Sequence, residues 1–187
     1  MLFHGLIRTA HAARALEHSD TPARRDELAR GLALWAIGLR ASPPDRQPSE
    51  TVDVNGISEI MDCARAGAVT FMKKSTIPNL HLVTGPMAYL MVAHHLNSRI
   101  HGIAAAAFRQ THAKAIETFE PERHSTRSAP LPSFDQDHLE ALAEKTDAHP
   151  AKLTEAALRA YQAAGDDLFL KAAARVQDYN LWRAMVG

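Results

Sequence analysis

Eleven histidines in 187 residues are the chemical resource of this chain. Imidazole is the commonest metal ligand in proteins and titrates near neutrality. Three histidines stand apart because each abuts apolar residues expected in a core. They lie in Phe3-His4-Gly5-Leu6-Ile7-Arg8, in Leu80-His81-Leu82-Val83-Thr84-Gly85, and in Asp147-Ala148-His149-Pro150-Ala151-Lys152-Leu153. A buried imidazole needs a partner for both ring nitrogens, and a metal ion is one such partner. Taken singly, each is more often a hydrogen-bonded core histidine than a ligand. His149 and Lys152 are three residues apart, so a helix there projects them from neighbouring parts of one face. The plain reading of that pair is two surface residues.

The other histidines carry less. His94, His101 and His112 fall together on a helical wheel opposite Leu96, Ile100, Ile103 and Ala107, the pattern of a solvated face. His95 flanks the apolar stripe and is a weak candidate. His18, His124 and His138 lie at helix ends or in loops. No HExxH or ExxH pair, glycine-rich phosphate loop or GxSxG elbow is present, so the familiar zincin, carboxylate di-iron, nucleotide-binding and serine-hydrolase readings lack their signatures.

The elements that must position these residues read as helices. Apolar residues make up 46% of the chain, glycine numbers only 9, and alanine and leucine outweigh β-branched residues. Apolar periodicity predicts helices over 1–17, 22–40, 57–73, a long stretch from 80 to 107, a short helix over 133–145, and two more over 147–164 and 166–185. Asp20-Thr21-Pro22 restarts the chain after the first, and 1–40 reads as an antiparallel hairpin. Prolines at 43, 44 and 48 mark a loop over 41–50, and 121–132 marks another. Ser133 with Gln136 fits a capping box, and Thr146 or Asp147 suits a cap with Pro150 in the first turn. Pro86 must kink or restart its helix. No strand pattern appears. The expectation is one all-α domain over 1–187, a multi-helix bundle of antiparallel helices.

Lysine plus arginine (21) balances aspartate plus glutamate (21), which gives no electrostatic reason to expect nucleic acid or an anionic membrane surface. Cys63 is the only cysteine, so the chain builds no internal disulfide or cysteine-rich metal site. With no signal pattern and no membrane-length apolar run, the expected setting is cytoplasmic. The apolar face of the first helix, Phe3 and Ile7 included, is expected to be covered by a partner chain or a second copy.

The three histidine segments, in this order and with helical spacers, resemble signature segments of the questin oxidase-like family, over essentially the whole chain. The resemblance implies an oxidoreductase that opens oxygenated polycyclic rings with dioxygen, by dioxygenase-type or Baeyer–Villiger-type cleavage of an aromatic, polyketide-like substrate. It implies a mononuclear non-haem iron held by histidines and a lysine carboxylated on its side-chain nitrogen. By position these ligands are His4, His81, His149 and Lys152. Arg8, Thr84 and Asp147 would orient ligands or substrate, and the use of NADPH is left open. Family members carry a further Asn-His segment upstream of the first motif. The expectation is therefore the larger, C-terminal part of such an enzyme, completed by another chain or a longer one. The alternatives are a non-catalytic helical subunit, or a small-molecule-binding bundle in which the histidines only satisfy hydrogen bonds.

Overall fold

A computed structural model of the protein describes residues 3–41, 56–119 and 148–177. Among these residues every regular element is a helix: α1 (His4–His18), α2 (Pro22–Ala41), α3 (Gly56–Lys73), α4 (Ile77–Ala93), α5 (Ser98–Phe119), α6 (Ala148–Ala164) and α7 (Asp167–Gln177). The fold is all-α. The expected loops after residue 41 and over 121–132, the 133–145 helix, the Thr146/Asp147 cap and the end of the last helix lie outside the described residues. No helix of the described residues is long and apolar enough to cross a membrane.

Contacts group the chain into two compact units, Met1–Cys63 with Gly85–Ala115, and Ala64–Thr84 with Ile116–Gly187. In the first unit α1 and α2 pack closely. A methyl group on Gly31 would lie 3.0 Å from the Thr9 Cα. Leu6, Ile7 and Ala10 of α1 join Ile60, Tyr89, Val92, Ala105 and Phe108 in one core cluster, with Phe3 packed against it. Phe3 takes a left-handed conformation (φ 56°) ahead of α1. This unfavourable geometry for a side-chain-bearing residue accompanies ring stacking on Phe108 at 4.9 Å. Ile7 is thus covered by the chain's own residues and Phe3 partly so.

In the second unit, Gly165 (φ 65°) ends α6 in the left-handed conformation suited to glycine. Asp166 then caps α7 by accepting from the Leu168 N–H at 2.9 Å. That N–H, and secondarily the Arg65 guanidinium at 2.9 Å, hold the Asp166 carboxyl below the usual carboxylate range. Arg175 of α7 donates to Ser75 Oγ at 2.8 Å, tying α7 to the α3–α4 turn.

Of the two outcomes expected at Pro86, a restart is not what occurs: α4 runs through it to Ala93. The long apolar stretch breaks instead at 94–97, because Asn97 Oδ1 accepts from the Ile100 N–H at 3.0 Å and caps a new helix. The new start resets the helical phase. α5 therefore buries Ala105, Phe108, His112 and Ala115, spaced three and four apart, while Ile100 and Ile103 are exposed. His112, expected on a solvated face, is 1% exposed and lies against Phe3 and Phe108. On α3, Val69 is exposed and Phe71 is fully buried.

Candidate metal centre

The site is built on α4. All residues from Asn79 to Tyr89 are buried, so this stretch presents no polar face. A helix apolar on every side belongs in a core, and its few polar side chains must be accommodated there. His81 and Thr84 are each 4% exposed. Thr84 Oγ1 donates to the Leu80 carbonyl one turn back, at 3.4 Å. Asn79 Nδ2 donates to the Lys74 carbonyl at 2.8 Å, which closes the turn into α4.

The position of His81 along and around α4 is set by its neighbour Leu82. At Gly67 of α3 a Cβ would lie 2.1 Å from the Leu82 carbonyl oxygen and 2.5 Å from its carbon. Only glycine permits two backbones to approach this closely. Pro86 has no N–H to donate to the carbonyl four residues before it. That carbonyl is the Leu82 group pressed against Gly67.

His149 is half-buried in the first turn of α6, which buries Pro150, Leu153, Thr154, Ala156, Ala157 and Ala160. The His81 and His149 rings meet edge to face, with centroids 5.6 Å apart. His4, the first residue of α1, is exposed. Within the first unit, a Cβ on Gly85 would lie 2.6 Å from the ring of Phe3, the residue before His4.

The other residues singled out in the sequence are placed as follows. Lys152 is half-buried one turn after His149 in α6. Arg8 forms a two-pronged pair with Glu27 of α2, at 2.6 and 3.0 Å, and this pairing raises its pKa. Its guanidinium is thus engaged in an exposed ion pair. Asp147 lies outside the described residues.

A second set of donors was missed. Glu17, His94 and His95 bring one donor atom each within 4.8 Å of the others. Consecutive residues diverge by about 100° on a helix, so His94 and His95 were not read as a pair. Outside a helix that restriction lapses. The signal was Asn97, whose cap ends the helical register just after them.

No family model, curated protein or solved structure matches this chain.

Proposed function

We propose that the protein is a mononuclear iron-dependent oxygenase of the questin oxidase-like kind, acting on an aromatic or polyketide-type substrate. One observation carries the reading. The rings of His81 and His149, from two separate segments selected by motif alone, meet edge to face with centroids 5.6 Å apart. The ligands proposed are these two and His4; imidazole suits iron, and three leave positions for other ligands. Bound there, iron supplies activation of dioxygen for oxidation of the ring substrate. The chain's own contribution is placement. Gly67 and Leu82 fix His81, and the first turn of α6 carries His149.

The fourth ligand proposed is Lys152, carboxylated on Nζ. His4 and His149 both stand in the first turn of their helices, where the partial positive charge of the helix end disfavours a bare cation. An anionic ligand offsets that cost. A lysine that has taken up carbon dioxide provides one on a long arm, from the same helix turn as His149.

The test is elemental analysis of protein purified without added metal. Iron near one per chain, raised by bicarbonate during reconstitution, supports the reading. Lys152→Ala and His149→Ala should each lower metal content sharply, and Lys152→Glu, shorter but anionic, should restore part of it. Full metal content in Lys152→Ala would remove the lysine from the ligand set. Metal-free protein that binds an aromatic ligand would instead make it a binding protein.

A further inference from the structure

We infer that Glu17, His94 and His95 form a second divalent-metal site, specific for zinc-like ions and independent of the proposed iron centre. The three side chains come from the end of α1 and from the turn after α4. Glu17 is the penultimate residue of α1, and His94 and His95 directly follow Ala93, the last residue of α4. Both imidazole Nε2 atoms face the same carboxylate oxygen: Glu17 Oε1 lies 3.5 Å from His94 Nε2 and 3.7 Å from His95 Nε2.

These separations fit a shared ion. In a tetrahedral zinc site with bonds near 2.0–2.1 Å, adjacent donors lie roughly 3.4 Å apart. Both observed histidine–carboxylate distances are within a few tenths of an ångström of that edge. The two rings lie side by side, with centroids 3.8 Å apart. The turn holds them there: the His95 N–H donates to the Val92 carbonyl at 3.0 Å, and Leu96 N–H to Ala93 at 3.0 Å.

The surroundings also favour a cation. A helix C-terminus carries partial negative charge, and this site lies at two of them. The α1 end already attracts one cation: Arg24 donates to the Ala15 and Ser19 carbonyls at 2.8 and 3.0 Å. Two imidazoles and one carboxylate are a three-ligand zinc set with the fourth position open to water. All three side chains are about half exposed, so an ion reaches them without opening the fold. Without an ion, the same contacts are an exposed ion pair of little energetic weight. With one, α1 is stapled to the α4–α5 turn.

Zinc titration of metal-stripped full-length protein, followed by calorimetry and elemental analysis, tests this. Wild type should bind one more zinc equivalent than the His94→Ala/His95→Ala variant, with half-saturation at micromolar zinc. Glu17→Gln should weaken that equivalent by about tenfold or more, and zinc should raise the melting temperature of wild type above that of the double variant. His81→Leu, aimed at the other cluster, should leave the extra equivalent in place. Equal stoichiometry in wild type and double variant, or saturation only at millimolar zinc, overturns the site.

Discussion

The two histidine clusters use opposite ends of helices. His149 stands in the first turn of α6, whereas Glu17 lies in the last turn of α1 and His94 and His95 follow the end of α4. The end charge disfavours a bare cation at the first cluster and favours one at the second. The first is also anchored in packing, because His81 lies on a fully buried helix. The second hangs on a turn held by two backbone hydrogen bonds. A cluster in a core is fixed by everything that touches its helix. A cluster on a turn is fixed by a few local bonds, so damage should spread differently from the two.

Gly67→Ala should have the largest effect. The added methyl meets backbone atoms that cannot rotate away, so overpacking of about 1–3 kcal/mol exceeds the roughly 1 kcal/mol that alanine gains in a helix. Denaturant unfolding should show the loss. Iron content should fall with it, while zinc uptake at Glu17, His94 and His95 persists. Loss of both sites together would break the contrast.

Next comes His81→Leu, which fills the buried site with an apolar side chain of similar size. Stability should fall by no more than about 3 kcal/mol while iron is lost, separating ligand from packing. A variant that keeps its iron would exclude His81 from the centre. Smaller still is Tyr89→Phe in the first unit. Tyr89 Oη donates to the His101 carbonyl at 3.0 Å, and burial pushes its pKa to about 12. Its removal should cost about 1 kcal/mol and leave iron content unchanged.

Cys63 gives the smallest signal. Burial, and then the charge of Asp62, pushes its thiol from 9.0 up to about 11. Between those values the folded chain keeps a proton that the unfolded chain releases. The stabilising contribution is complete below pH 9 and is lost as pH rises through 11. Thiol labelling at pH 8 should be much slower in folded than in denatured protein.

Helix content was legible because alanine- and leucine-rich periodicity is a local property. α1, α2 and α3 begin and end within a few residues of where their apolar spacing puts them. The burial of His81 was legible for a different reason: it interrupts an apolar run. What failed was phase. One capping side chain, Asn97, resets the register of α5, so the wheel drawn through 94–112 put His112 outside and Ile100 and Ile103 inside. The Glu17 cluster was illegible because its donors lie 77 and 78 residues apart in sequence. They meet only through packing. The pairing of Arg8 with Glu27 was illegible for the same reason, since it joins two helices.

The contact between Gly67 and Leu82 also restricts how α4 can turn about its own axis. Rotation in either direction drives the Leu82 carbonyl out of a slot that only a missing side chain leaves open. The azimuth of His81 is therefore set when the chain folds, before any ion arrives. Ordering that imidazole is part of folding, and a metal at the proposed centre would meet one donor already aimed. The remaining adjustment would fall to His149, at a helix end, where a side chain turns at least cost.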